Sequence, residues 1–262
     1  MFELEAVIVP PYTESAAVYD HMMKDVDYKR WANYIIQLME VGGLDSRHSN
    51  RQGKKLCELG SGTGNIASYL SKYGFDITGI DRSEQMTNAA RQKFAGRSKR
   101  ELKFFNHDMV TYRSPTQYDG IICVYDSMNY ISGKRNIELF FKNVFFNLKF
   151  KGLFILDASL EPNSLNDQEL FTQRGKIKNI LYQRESSYDP KTKMHTTRIR
   201  IKKDGTVFEE IHNEYVYSLD TIRQAARKAG FTEIFAAGDF TLLDVNDDSE
   251  RVHFVLTKQA HD

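Results

Sequence analysis

Between Lys54 and about Ser159, short apolar runs alternate with stretches whose apolar residues recur at helical spacing. This is the rhythm of repeated βα units around a parallel sheet. It predicts strands at 55–59, 76–80, 102–105, 120–125 and 152–156. A helix is expected over 64–73, with Ile66, Ala67 and Leu70 on one face, and another from a Ser83 cap to Phe94, with Glu84 in its first turn. A third covers 137–148, and Gly152 after Lys149 and Lys151 marks the tight turn into the next strand.

The rhythm then changes. Three longer β-type stretches run from about Lys176 to Ser218, separated by Asp189-Pro190-Lys191 and Asp204-Gly205, both good turn sequences. The reading is a three-stranded antiparallel insertion. Arg198, Arg200 and Lys202 alternate with Ile199 and Ile201, giving one basic and one apolar face. Helical spacing returns over 219–228, capped by Ser218 and stopped by Gly230, and 231–235 and 252–256 are the last candidate strands. Ahead of the core lie two expected helices, 14–24 and 28–41, unusually rich in aromatics: Tyr12, Tyr19, Tyr28 and Trp31 stand in or beside them.

Composition changes this picture little. The 262 residues are 41% hydrophobic and 27% charged with a net charge of +1, which suits a globular chain with no strong overall pull toward nucleic acid or an anionic membrane. The acidic start, the short apolar run 6–9 ending in Pro10-Pro11, and the lack of a long apolar stretch argue against a secretory signal or a membrane span. Cys57 and Cys123 sit inside apolar strand-like runs and read as buried hydrophobes in a reducing compartment, so a cytoplasmic location is expected.

The strongest chemical signal is Glu58-Leu59-Gly60-Ser61-Gly62-Thr63-Gly64, where an apolar strand runs through alternating glycines into a helix. Glycines let the chain turn sharply and bring bare backbone against a ligand, at the positive end of a helix dipole. A dinucleotide fingerprint starting at Gly60 fails, because its third glycine falls on Asn65; starting at Gly62 it reaches Ala67 only by moving into the helix. The three glycines with Glu58 two residues ahead fit S-adenosylmethionine (SAM) better. Asp81 ends the second strand about 20 residues on, where a carboxylate accepts ribose hydroxyls. Asp108 can accept an adenine amino group while Met109 covers the ring. The fourth strand runs into Tyr125-Asp126-Ser127-Met128-Asn129-Tyr130 at the topological switch point, where doubly wound sheets place ligands.

Together these motifs resemble the successive motifs of class I SAM-dependent methyltransferases. The preface from Tyr12 to Asp20, the run Asp25 to Trp31, and Asp126-Ser127-Met128-Asn129-Tyr130 resemble a narrower bacterial group, similar to amino-sugar N-methyltransferases and glycine N-methyltransferase-like enzymes. The resemblance implies an α/β fold: a doubly wound, Rossmann-like sheet of seven strands, the last antiparallel, with an antiparallel insertion after strand five. It implies a helical lid over 1–45, a cofactor domain from 46–160 and 218–262, and an acceptor-specifying insertion over 161–217. Gly60, Gly62 and Gly64 would line the methionine end of SAM, Asp81 the ribose, and Asp108 and Met109 the adenine, while Tyr12, Tyr19 and Trp31 would close over the methionine part. Glu58, Ser61, Arg82, Met86 and Tyr125 complete the expected cofactor-binding set. No metal is expected.

Methyl transfer needs alignment more than acid–base chemistry, so a general base is optional. Asp126, Tyr130, His195 and His212 are candidates, and no spacing singles one out. A small-molecule acceptor methylated on nitrogen or oxygen is the leading reading. The alternatives are an RNA methyltransferase using Arg198, Arg200, Lys202 and Lys203 with Tyr182 or Tyr188 for stacking, and a non-catalytic SAM-binding factor. A monomer or a homodimer is expected.

Overall fold

A computed structural model describes residues 5–44, 53–96, 101–165 and 171–259. The central sheet has seven strands: β2 (Lys55–Leu59), β3 (Asp76–Asp81), β4 (Leu102–Asn106), β5 (Tyr118–Cys123), β6 (Leu148–Ser159), β11 (Phe231–Gly238) and β12 (Arg251–Lys258). Their spatial order is β11-β12-β6-β5-β2-β3-β4. Strand β12 runs antiparallel to both neighbours, whereas β2 through β6 pair in parallel. This is the doubly wound sheet of the sequence reading. The order reverses between β2 and β5, so the ends of those two strands open a crevice for a ligand.

Both faces of the sheet are covered, which is why its strands read as apolar runs rather than alternations. One face packs under α5 (Lys134–Asn147) and α7 (Leu219–Ala229), burying Phe140, Phe141, Phe154, Ile222 and Phe254. The other packs under α2 (Tyr28–Val41) and α3 (Asn65–Lys72), burying Ile35, Leu38, Leu56, Leu70 and Phe75. Each such side chain contributes roughly 1.5–3 kcal/mol of transfer free energy. The remaining core helix, α4 (Glu84–Phe94), starts where the Ser83 hydroxyl accepts the Met86 amide at 3.2 Å. Ser218 caps α7 in the same way, taking the Thr221 amide, and Gly230 ends it at φ +101°. Both cysteines are free and buried. No helix among the described residues is long and apolar enough to cross a membrane.

A second sheet of five strands has the order β1-β10-β9-β8-β7, built from β1 (Val7–Val9), β7 (Phe171–Ile177), β8 (Ile180–Asp189), β9 (Met194–Lys203) and β10 (Thr206–Tyr215). The expected three-stranded insertion is therefore an antiparallel meander of four, which the N-terminal run 7–9 extends by a parallel pairing on β10. Strand β7 escaped the pattern because it is an edge strand: Thr172, Gln173, Arg174 and Lys176 give it no period-two apolar signal. A short helix, α6 (Glu161–Leu165), leads from β6 toward it.

The preface also differs. Instead of one helix over 14–24 there is a 3₁₀ turn at Ser15–Ala17 and a four-residue helix α1 (Tyr19–Met22). The cause is tertiary: the buried Glu210 carboxylate draws in the amides of Tyr12, Glu14 and Ser15 at 2.7–2.9 Å, holding the strap open there. Helix α2 forms as expected, capped by Asp27 on the Arg30 amide. Strand β6 begins at Leu148, four residues before the expected 152, and contains the bend at Lys151 (φ +61°).

Candidate active site

The glycine loop leaves β2 at the reversal point. Gly60, Gly62 and Gly64 all have positive φ, between +52° and +77°, a region that L side chains disfavour. Space adds different reasons at each. A Cβ on Gly60 would lie 2.3 Å from the Ser127 hydroxyl oxygen, and one on Gly64 would lie 2.6 Å from Phe104. A Cβ on Gly62 would meet nothing within 4 Å, so this glycine faces open space. Ile80 carbonyl oxygen pins the loop by accepting the Gly60 and Ser61 amides at 2.8 and 3.0 Å.

Two carboxylates stand at this loop. Asp81 accepts the Gly62 amide on one oxygen and the Ser83 amide on the other, each at 2.8 Å. A carboxylate offers about four lone-pair sites, so the remaining two can still receive hydroxyl groups. Glu58 is buried, and its Oε2 meets no hydrogen-bond partner among the described residues. Burial, with the Asp81 charge adding to it against the Ala67 amide, pushes the Glu58 carboxyl up to about 8. An orphaned buried acceptor, a glycine facing open space and a half-used carboxylate fit SAM, which brings cationic groups and ribose hydroxyls.

The aromatic strap crosses this loop. Asp20 on α1 accepts the Thr63 hydroxyl at 2.7 Å and the Asn65 amide at 3.0 Å, and pairs with Lys93 at 2.5 Å. Ser83 donates its hydroxyl to the Tyr12 carbonyl at 2.8 Å, fastening the strap beside Asp81. Tyr12 and Tyr19 pack edge to face at 5.9 Å. Trp31 stands elsewhere, on α2: its ring lies 4.5 Å from Phe240 and 5.3 Å from Tyr125, with Arg251 over it.

The other expected cofactor residues are placed as follows. Arg82 is exposed, and Met86 is fully buried under the start of α4. Asp108 accepts the Val110 amide at 2.8 Å, a local turn that leaves its second oxygen available. Met109 packs partly buried against the core, its sulfur 4.0 Å from Cys123 Sγ.

Across the crevice, the end of β5 meets the inner face of the second sheet. Tyr125 and Asp126 both adopt left-handed backbone (φ +62° and +61°), the kind of strain that structures retain at functional turns. Asp126 pairs with Arg251, which also binds the buried Asp157 at 2.5 Å. Tyr130 shares a 2.7 Å hydrogen bond with Tyr12 and a 3.1 Å bond with His212 Nδ1. His212 Nε2 in turn lies 3.1 Å from Glu210. Burial opposes the Glu210 charge, but the His212 and Ser15 hydrogen bonds outweigh it and hold this carboxyl below its usual range. Of the four residues considered for acid–base work, Asp126, Tyr130 and His212 gather here. His195 lies on β9 with its Nδ1 3.4 Å from the Ser164 hydroxyl.

Cross-strand register gives three rows of the inner face. Arg184, Ile199 and Glu210 form one row; Ser186, Thr197 and His212 the next; Tyr188, His195 and Glu214 the third. Glu214, Arg184, Arg251 and Glu210 were missed by the sequence reading. The available signal was polar residues at 210, 212 and 214, where an ordinary half-buried strand would put apolar ones. The basic stripe lies on the opposite face. Its Arg198 and Arg200 share Glu209 at 3.6 and 2.6 Å, whereas Lys203 falls on the alternate face of β9 with Ile199 and Ile201 and pairs with Glu14. Tyr182 and Tyr188, candidates for stacking on RNA, are buried on the inner face at 4% and 7% exposure.

Residues 56–152 match the family described as Methyltransferase domain. The chain is 27% identical over 253 residues to a protein of Geobacillus sp. (strain WCH70) described as a methyltransferase, covering 94% of this chain and 99% of the relative. A similarly described protein of Bacillus subtilis (strain 168) is 26% identical over 252 residues, covering 94% and 97%. Among solved structures, a SAM-dependent methyltransferase from Clostridium acetobutylicum ATCC 824 superposes with a TM-score of 0.77 at 22% identity, covering 95% of this chain and 99% of that one. A sugar N-methyltransferase from Streptoalloteichus sp. ATCC 53650 gives 0.73 at 15% identity, covering 99% and 98%. These two likenesses are of fold.

Proposed function

From a chain that is a SAM-dependent methyltransferase, we propose that it methylates a nitrogen or oxygen of a small molecule enclosed between the β5 end and the inner face of the second sheet. The observation that carries this reading is the polar inner face itself. Arg184, Glu214 and His212 share one side of the sheet, and His212 bonds Tyr130, which bonds Tyr12 of the strap. Such convergent polar groups suit a compact acceptor.

In this reading the loop of Gly60, Ser61, Gly62 and Gly64, with Glu58 beneath it, receives the amino-acid end of SAM, and Asp81 receives the ribose hydroxyls. Arg82 and Met86 flank that end, Asp108 and Met109 take the adenine, and Tyr12, Tyr19, Trp31 and Tyr125 close the site. When bound, SAM supplies an electrophilic methyl group on sulfur, which carries most of the chemical drive. The chain's own residues bind, orient and exclude water. Tyr130, held by Tyr12 and His212, forms a wall of the acceptor recess, and Asp126, held by Arg251, fixes the turn beside it.

Thermal unfolding with S-adenosylhomocysteine tests the cofactor assignment. A ligand at about 100 times its dissociation constant adds roughly 2.7 kcal/mol. That shift in midpoint is expected for the wild type and should vanish in Asp81→Ala. An undiminished shift in the variant would remove Asp81 from the site.

An RNA acceptor is the second reading, and the Glu209 pairing and buried tyrosines count against it. Total RNA is expected to take up no methyl label and to bind no more weakly after Arg198→Gln and Lys202→Gln. Binding that falls steeply with salt and with those substitutions would restore the RNA reading.

A further inference from the structure

We propose that Tyr130 is the catalytic proton acceptor of this enzyme, with His212 and Glu210 as the residues that position it, and that the methyl acceptor is accordingly a small molecule bearing a hydroxyl. The proposal rests on the small-molecule reading above and deepens it.

Four side chains form one unbroken hydrogen-bonded line: Tyr12 to Tyr130 at 2.7 Å, Tyr130 to His212 Nδ1 at 3.1 Å, and His212 Nε2 to Glu210 at 3.1 Å. The direction of its protons follows from the far end. Glu210 is buried and accepts the Tyr12, Glu14 and Ser15 amides and the Ser15 hydroxyl, so it stands as a carboxylate with nothing to donate. His212 Nε2 must therefore carry a proton, which leaves Nδ1 of the neutral imidazole bare. The Tyr130 hydroxyl donates to that bare nitrogen, and Tyr12 in turn donates to Tyr130. A hydroxyl has one proton and two lone pairs. Tyr130 thus keeps one lone pair unspent by this line, and its side chain is partly exposed.

The near end of the line borders the cofactor loop. Ser83, whose amide binds Asp81, also holds the Tyr12 carbonyl at 2.8 Å. Tyr12 is kept in left-handed backbone (φ +61°), its ring edge to face with His212 at 4.6 Å. Structures retain such strain where their surroundings over-determine it, commonly at functional sites. The Tyr12 amide alone would fasten the strap to Glu210; a tyrosine–imidazole–carboxylate line adds a route for a proton that fastening does not require.

That route decides between acceptor chemistries. A neutral amine attacks on its free lone pair without first losing a proton, whereas a hydroxyl benefits from a base. Burial, with the Tyr12 and Glu214 charges adding to it, holds the Tyr130 hydroxyl above its ordinary range. Tyr130 therefore rests protonated and takes a proton only by passing its own to His212. In the step, the substrate O–H proton moves to the Tyr130 oxygen while the Tyr130 proton moves to His212 Nδ1. The oxygen pair left behind forms the O–C bond, and the electrons of the broken C–S bond stay on sulfur, with S-adenosylhomocysteine as the leaving group. The resulting imidazolium is held on the Glu210 carboxylate by a charge-assisted hydrogen bond, and its proton returns through Tyr130 to water.

Nitrogen-15 NMR of the wild type in mildly alkaline buffer should show His212 protonated at Nε2 and bare at Nδ1. The reverse tautomer, or a ring protonated at both nitrogens, would overturn the proposal, and this measurement needs no variant to fold. Methyl-labelled SAM is then supplied with a small-molecule extract of the cells that make this protein, with total RNA assayed beside it. Label is expected as a methyl ether, stable to alkali and released by hydriodic acid as methyl iodide. On the fraction that takes label, Tyr130→Phe and His212→Asn should each lower kcat roughly 10²–10⁴-fold, with KM for the fraction and S-adenosylhomocysteine affinity unchanged. His212→Asn is the sharper of the two, because an amide oxygen can still accept the Tyr130 hydroxyl but cannot keep its proton. A raised KM with kcat unchanged would reduce the line to a structural tie and overturn the proposal. N-methyl product, or an alkali-labile methyl ester, would overturn it while leaving the small-molecule reading intact. Label in RNA, or in no fraction, would overturn both.

Discussion

Arg251→Ala is expected to lose about 3–5 kcal/mol of unfolding free energy. The guanidinium lies between Asp126 and the fully buried Asp157, and removing it leaves the second carboxylate uncompensated. Domains of this kind have roughly 5–15 kcal/mol in total, so the variant should sit near the edge of folding. The pH dependence gives the mechanism away. Burial pushes Asp157 up to about 6 even with Arg251 present, against an unperturbed 3.8. A folded value above the unfolded one means that ionisation lowers stability as pH rises between those two values. Without Arg251 the folded value climbs further, so the deficit should widen toward neutral pH and shrink in acid. Urea titrations at pH 5 and pH 7 measure this, and Asp157→Asn in the same chain should recover part of the loss. A deficit under about 1 kcal/mol, equal at both pH values, would mean that water screens the triad.

The second large effect has two opposite signs. Glu58→Gln should stabilise the ligand-free protein and weaken SAM binding. The folded carboxyl, at about 8, lies above its unperturbed 4.5. Its stabilising contribution is therefore greatest below pH 4.5 and is lost as pH rises toward 8. At pH 8 that loss amounts to roughly 4 kcal/mol; burying an under-bonded amide instead costs about 1–3. A net gain of roughly 2 kcal/mol at pH 8, fading in acid, is the expected result of denaturant titration. In the wild type, the cationic ligand should draw the proton off Glu58, so SAM affinity should rise between pH 6 and pH 8; in the variant it should be lower and flat. If SAM affinity proves independent of pH in the wild type, Glu58 does not face the cofactor's charge.

The central sheet was legible because its determinants are local. Apolar runs of strand length, the Ser83 and Ser218 caps and the glycine loop each state their conformation within a few residues. The candidate cofactor residues belong to the same class, since Gly60, Gly62, Gly64 and Asp81 follow one another around a single strand–loop–helix–strand unit. The acceptor side was less legible. The residues proposed for it, Asp126, Arg184, Glu210, Glu214 and Arg251, are scattered over the chain from the end of β5 onward and share no motif. The stripe of Arg198, Arg200 and Lys202 was visible but incomplete as a signal, because its partner Glu209 is set by strand register.

By itself, then, the sequence determined the order of βα units, the point where the sheet order reverses, and the conformation of the glycine loop there. The tertiary structure alone decided what covers that point. It converted an expected helix at 14–24 into a strap, because a buried carboxylate 196 residues away from Glu14 binds its amide. It added β1 to the insertion and turned the face bearing Glu214 and Arg184 inward. The physical reason is range. Secondary structure follows from side-chain periodicity and neighbouring backbone, whereas the charge state and partner of a buried polar group depend on whichever distant residues are packed against it.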